Sequence, residues 1–374
     1  MTTNTKTMIP INSPIIGDEE RAEVMKVLES GALTSASAEG GEYVRRFQKS
    51  VESFTNAKYA VAVNSGTSAL YAALLALGVK AGDEVLVPSF TFLATANTVL
   101  LAGAKPVFVD IETNHYTMDP EDLEKKITRK SRAIIPVHLY GHPAKMDQIT
   151  ETAEKNSLSV IEDAAQSLGA NYRGRATGTI GDIGCFSLYA SKVITSGEGG
   201  FLTTNDDALA ARLKMVRNHG MIHGYDSAVL GANLRLPEME AAIASVQMAK
   251  LPSFLEARRR NAAALTGLLE GLERIILPSE GGECEANWSL YTVALPENRN
   301  KVKDYLSSNG IGAAVYYDPP VHRTPLYSET ETGRVALPRT DWASRHVLSL
   351  PVHPRVSQDN IKTIASTVRD ALST

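Results

Sequence analysis

Hydrophobic and polar positions along the chain fall into two alternating rhythms. Short apolar runs rich in Val and Ile, "YAVAVNSG", "DEVLVPS", "KPVFVDI", "SRAIIPVHLYG" and "LSVIEDAA", read as strands. Between them lie "TSALYAALLALG", "FLATANTVLLAG", "PEDLEKKI" and "MDQITETAEKNS", whose apolar residues recur at helical spacing. Two helices precede this series: "GDEERAEVMKVLESG", acidic in its first turn and closed by glycine, and "GGEYVRRFQKSVESFTN". Strands apolar on both faces and separated by helices predict a parallel sheet covered on both sides, the core of an α/β domain. "GDIGCFSLYAS" and "GGFLTTND" add two strands, and "DDALAARLKMVRNHG" and "PEMEAAIASVQMAKL" two helices. Near Leu251 and Pro252 the pattern changes. A charged helix, "SFLEARRRNAAALTGLLEGL", leads into "NWSLYTVAL", "NKVKDYLSSNG" and "GAAVYY", a strand, helix, strand order suited to a smaller α+β unit. The expected division is an N-terminal arm and large domain over residues 1–250 and a small domain over 251–374.

Composition narrows the class. A chain of 374 residues with 43% hydrophobic content can bury a substantial core. Its 38 basic and 42 acidic residues leave a formal charge of -4 with no long block of one sign, which predicts no nucleic-acid or membrane partner. Cys185 and Cys284 lack metal-ligand spacing and form no disulfide framework, so no metal is expected and the compartment reads as reducing. No stretch approaches eighteen uninterrupted apolar residues, and the N-terminus lacks a targeting pattern, so a cytoplasmic location is expected.

Three stretches carry candidate chemistry. In "VNSGTSALYAAL" a strand ends at Asn64, and Ser65, Gly66, Thr67 and Ser68 open a helix whose free N–H groups and dipole suit a phosphate. Alone, the stretch reads first as a plain helix cap. In "LSVIEDAAQSLGA", Asp163 ends an apolar strand at the edge where open α/β sheets bind ligands, with a helix-capping role as the alternative. Its neighbour Glu162 is expected to face the other side of the sheet. In "GCFSLYASKVITSGEGGFLTTND", Lys192 stands between a strand and a glycine-rich turn, and Ser187 precedes it. A lone lysine in a turn is ordinarily solvated; an amine with a lowered pKa forms imines with carbonyls. Together, a phosphate cup (Gly66, Thr67, Ser187), a carboxylate (Asp163) and an imine lysine (Lys192) are what pyridoxal phosphate requires.

With these residues in place the sequence resembles the DegT/DnrJ/EryC1/StrS family of sugar aminotransferases, through "NSGTSALYAAL", "VPSFTFLATANTV", "PVHLYGHPAKMD", "IEDAAQSLGA", "RNHG", "LRLPEMEAAI" and "LSLPVHP" as well. The resemblance implies the fold-type I architecture, with a mostly parallel sheet of seven-stranded type between helices. It implies Lys192 as the Schiff-base lysine, Asp163 on the pyridine nitrogen and Gln166 near the cofactor's ring oxygen. Ser187, Gly66 and Thr67 are then placed on the phosphate, and Phe92 stacks on the ring. By the same resemblance Asn233 reaches the phosphate of a neighbouring subunit in a homodimer, Arg235 is structural or a dimer contact, and His322 in "VYYDPPVHRTPLY" lies near the substrate. The implied reaction moves an amino group from glutamate to a 3- or 4-keto group of a nucleotide-linked sugar. Alternatives are a cyclitol or aminobenzoate relative, an elimination, or a non-catalytic sensor that binds pyridoxal phosphate. "YASK" and the Ala before Asn233 depart from commoner family forms and bear on substrate choice.

Overall fold

The computed structural model describes residues 8–373; the expectation of no N-terminal targeting pattern therefore falls partly outside the described residues. Strands β1 (Tyr59–Val63), β2 (Glu84–Pro88), β3 (Lys105–Val109), β4 (Ser131–Ile134) and β5 (Ser159–Asp163) precede a small pair, β6 (Asn171–Tyr172) and β7 (Arg175–Ala176). β8 (Ile183–Ser187) and β9 (Gly200–Thr204) complete a seven-stranded sheet in the order β1-β9-β8-β5-β4-β2-β3. β9 alone runs antiparallel to its neighbours, so the expected mostly parallel sheet is present.

Helices α1 (Asp18–Ser30), α2 (Glu42–Thr55), α3 (Gly66–Ala76), α4 (Leu93–Leu101), α5 (Pro120–Lys126), α6 (Met146–Asn156) and α7 (Asp207–Arg217) occupy the predicted stretches. Strand periodicity explains why both sheet faces are covered. Val61 and Val63 of β1 join one apolar cluster with Leu70 and Leu74 of α3, while Ala60 and Ala62 join another with Phe47 and Val51 of α2.

The C-terminal part departs from the expected pattern in two places. Instead of a change of element at Leu251 and Pro252, one helix, α8 (Glu238–Leu269), runs through Pro252. An interior proline costs about 3 kcal/mol through its lost hydrogen bond and ring clash. Leu251, Phe254 and Leu255 bury into the cluster around α2, at about 2 kcal/mol each, so packing outweighs that penalty. Farther along, Ala262, Leu265 and Leu269 of the same helix enter a second core with Tyr291, Val293 and Leu350. The second departure is "GAAVYY", which forms no strand. Ala314 makes an isolated bridge with Ser349, Gly312 N–H bonds Ile9 O at 2.8 Å, and Tyr317 meets Gln166 of the large domain. The two-stranded sheet is instead Tyr291–Ala294 with Val347–Leu350, packed under Arg299–Ser308 and Gln358–Ser373.

Glu162 shows how an alternating strand serves two ends. It is fully buried and, as expected, faces away from Asp163's side of the sheet. Its carboxylate accepts from His138 Nε2 at 2.8 Å and from the N–H groups of Gly178, Ile180 and Gly181 at 2.7, 2.6 and 2.7 Å. Burial works to raise its pKa, but the bond and charge of His138 and the Gly181 and Gly178 N–H groups more than reverse this, and the pKa falls below the ordinary carboxylate value. A group so depressed adds stability above its unfolded pKa and loses it as pH falls through the folded one. Glu162→Gln, which swaps a multiply bonded acceptor for an amide, is therefore expected to destabilise the neutral-pH protein by about 3 kcal/mol. Urea melts would show the deficit shrinking toward acid pH; an acid-independent deficit would contradict the ionised assignment.

Candidate active site

The parallel strands end along one edge, and the candidate residues gather there because each strand delivers its last side chain to the following turn. β1 passes into α3 at Ser65, whose Oγ caps the helix by accepting Ser68 N–H at 3.0 Å. The cap reading thus holds for Ser65, and it leaves the N–H groups of Gly66 and Thr67, in the helix's first turn, without intrahelical acceptors. Gly66 lies against β8 so closely that a Cβ there would sit 2.8 Å from Ser187 Cβ. Glycine is what lets the helix start and the Ser187 hydroxyl share one small cup.

Asp163 closes β5. Its Oδ2 accepts from Thr95 Oγ1 at 2.8 Å and its Oδ1 from Ala165 N–H at 3.2 Å. The Ala165 contact is a local turn bond of the capping kind; the Thr95 contact bridges distant segments. Burial raises the Asp163 pKa, opposed by Thr95, Ala165 N–H and the charges of Lys192 and His138.

Lys192 sits in the turn after β8, its N–H bonded to Tyr189 O at 2.9 Å. It is half-buried, and among the described residues its side chain makes no hydrogen bond or ion pair. Burial lowers its pKa, and the attraction of Asp163 opposes that only in part. An amine whose pKa is lowered loses its proton more readily, and the deprotonated form is a nucleophile and a base.

Gln166 is oriented from two sides: Oε1 accepts Tyr140 N–H at 2.7 Å and Nε2 donates to Tyr317 Oη at 2.9 Å. Phe92, immediately before α4, is 56% exposed, and its ring lies 6.1 Å from that of Tyr317. An exposed aromatic beside these polar groups offers a face for a planar ligand. Asn233 is exposed, on a segment held to the end of β1 by Asn64 N–H bonding Leu234 O at 2.9 Å, and its side chain bonds nothing among the described residues. Arg235 instead donates to Asn218 Oδ1 at 2.6 Å.

His322 is placed differently from the expectation. Its ring is fully buried, Nδ1 2.7 Å from Ser89 Oγ and Nε2 3.4 Å from Asp341, leaving no surface for a substrate. Burial pushes its pKa down to about 4 despite Asp341. Its backbone N–H also bonds Ser89 Oγ at 3.0 Å, so the residue fastens the segment carrying Tyr317 to the end of β2. Sequence reasoning passed over Thr95 and Tyr317, although both lie in quoted motifs; spacing gave no sign that they would meet Asp163 and Gln166.

Known proteins resemble this chain over nearly its full length. The model of the "DegT/DnrJ/EryC1/StrS aminotransferase family" matches residues 14–369. A dTDP-3-amino-3,4,6-trideoxy-alpha-D-glucose transaminase of Streptomyces venezuelae is 39% identical, covering 94% of this chain and 92% of the relative. A protein of Geobacillus stearothermophilus called a pleiotropic regulatory protein is 36% identical over 94% of this chain and 95% of its own. In three dimensions, S. venezuelae DesV in complex with a ketimine intermediate matches with a TM-score of 0.90 at 38% identity, over 94% of each chain. The architecture is that of the fold-type I aminotransferases, and the chain belongs to the DegT/DnrJ/EryC1/StrS aminotransferase family.

Proposed function

We propose that the protein is a pyridoxal-phosphate-dependent aminotransferase that moves the amino group of glutamate to a 3- or 4-keto group of a nucleotide-linked sugar. The reading rests on one observation: a lysine of lowered pKa that makes no side-chain hydrogen bond or ion pair among the described residues, a buried carboxylate and an open helix N-terminus converge at one sheet edge. The donors and acceptors fit the cofactor group by group. When bound, pyridoxal phosphate supplies an aldehyde carbon that takes up amines and a ring that accepts the electron pair left on the donor's α-carbon. The N–H groups of Gly66 and Thr67, with the hydroxyls of Thr67 and Ser187, hold the phosphate. Asp163 accepts the hydrogen bond of the protonated ring nitrogen, Gln166 lies by the ring oxygen, and Phe92 covers one ring face and excludes water. Lys192 would be the amine that holds the cofactor's aldehyde carbon and the base that moves the proton at the donor's α-carbon. Asn233, whose side chain bonds nothing among the described residues, reaches the phosphate of a second copy, which makes the working unit a homodimer.

The name of the Streptomyces transaminase supports a nucleotide-sugar acceptor. The name of the Geobacillus relative supports a second reading, a regulatory protein that keeps the fold. One experiment separates them. Protein loaded with pyridoxal phosphate and mixed with glutamate is expected to release 2-oxoglutarate in an amount equal to active sites, and to turn over once a nucleotide-linked keto sugar is added. A panel of 3-keto sugars, 4-keto sugars and keto-cyclitols then ranks the acceptors. Absence of 2-oxoglutarate would sink the transaminase reading.

A further inference from the structure

The segment leaving β2 places three side chains at the sheet edge, and the mechanism above uses only Phe92. Thr95, in the first turn of α4, is fully buried and donates through Oγ1 to Asp163 Oδ2 at 2.8 Å. A hydroxyl has one proton, so a Thr95 oxygen that gives its proton to the carboxylate can only accept from Thr91 Oγ1, 2.9 Å away and itself 2% exposed. The chain then runs from Thr91 to Thr95 to Asp163.

The opposite direction requires a protonated Asp163 that donates to Thr95, with Thr95 donating to Thr91. Thr91 Oγ1 makes no other hydrogen bond among the described residues, so reversal would leave its proton buried with no acceptor. A hydroxyl oxygen with a vacant lone pair is far cheaper to bury than such a donor. The geometry is therefore asymmetric, and the favourable direction is the one that matches an ionised Asp163. Asp163 Oδ1, bonded to Ala165 N–H, favours the same state. Other groups facing this carboxyl are the Lys192 amine, the His138 imidazole, the Cys185 thiol from β8 and the Tyr317 phenol.

We propose that Thr91 and Thr95 are positioning residues, a one-way hydroxyl relay that keeps Asp163 ionised and fixed in orientation to hold a protonated ring nitrogen. Only the identity of the ligand rests on the function proposed above; the relay itself stands on the protein's own atoms.

Two measurements test it. In cofactor-free protein labelled with carboxyl-13C aspartate, the Asp163 resonance, assigned by its loss in Asp163→Asn, is followed with pH. Thr95→Val is expected to move its titration to higher pH, Thr91→Val to move it less in the same direction, and Thr95→Ser to restore the parent behaviour. In protein loaded with ring-15N pyridoxal phosphate, Thr95→Val should shift the nitrogen resonance toward the unprotonated position and weaken cofactor binding on the order of tenfold. An Asp163 titration unmoved by Thr95→Val would overturn the relay; should that variant not fold, an unmoved Thr91→Val would do so. A moved titration in protein that fails to bind pyridoxal phosphate would keep the relay and overturn the cofactor assignment.

Discussion

Lys192→Ala is expected to abolish turnover, with release of 2-oxoglutarate from glutamate falling by at least about 10⁴-fold. Under the proposed function two losses combine in that figure: the amine that fastens the cofactor and the base that moves the proton. The side chain makes no hydrogen bond or ion pair among the described residues, so its removal breaks no structural contact, and the melting temperature should hardly change. Lys192→Arg should be equally inactive, because a guanidinium keeps its charge at any working pH, whereas burial lowers the pKa of the lysine amine here. Borohydride reduction followed by mass spectrometry gives a second readout: covalent attachment of the cofactor at position 192 in the parent, and none in either variant. Either variant turning over at a tenth of the parental rate would refute the assignment of Lys192.

Asp163→Asn is expected to lower kcat on the order of 10³-fold, since under the proposed function it removes the negative charge that holds the protonated ring nitrogen. Its effect on the cofactor-free protein should have the opposite sign. Burial raises the Asp163 pKa above the value an unfolded chain would show. The carboxyl therefore costs stability progressively as pH rises from its unfolded pKa to its folded one, and the cost stays at its full size above both. Asp163→Asn should raise the thermal midpoint of the cofactor-free protein at neutral pH while nearly silencing the loaded enzyme. A structural carboxylate predicts the reverse: lower stability with activity lost only through unfolding. Melts at several pH values alongside single-turnover rates distinguish the two.

Much of the site was legible because it is written in local grammar. Gly66 and Thr67 open a helix after an apolar strand, Asp163 ends another, and Lys192 follows a third; strand ends on a parallel sheet converge on one edge. Contacts between distant segments were not legible. Thr95 meets Asp163 across 68 positions and Gln166 meets Tyr317 across 151, and no periodicity encodes such pairings. His322 shows the opposite failure. Its motif pointed to the substrate, whereas the fold turns its ring inward onto Ser89 and Asp341, where it anchors the Tyr317 segment. Pro252 likewise reads as a break by local rule and becomes an interior helix residue once both flanks are buried.

Periodicity and strand–turn–helix order, which depend on neighbours a few residues apart, determined from sequence alone the α/β sheet, its covered faces and the strand ends at which the three candidate stretches lie. The tertiary structure alone decided which states those groups occupy: a lysine lowered by burial, a carboxylate raised by burial and held by Thr95, a histidine withdrawn into the core. Protonation depends on solvent exclusion and on charges brought together from remote positions, and both exist only after the chain has folded.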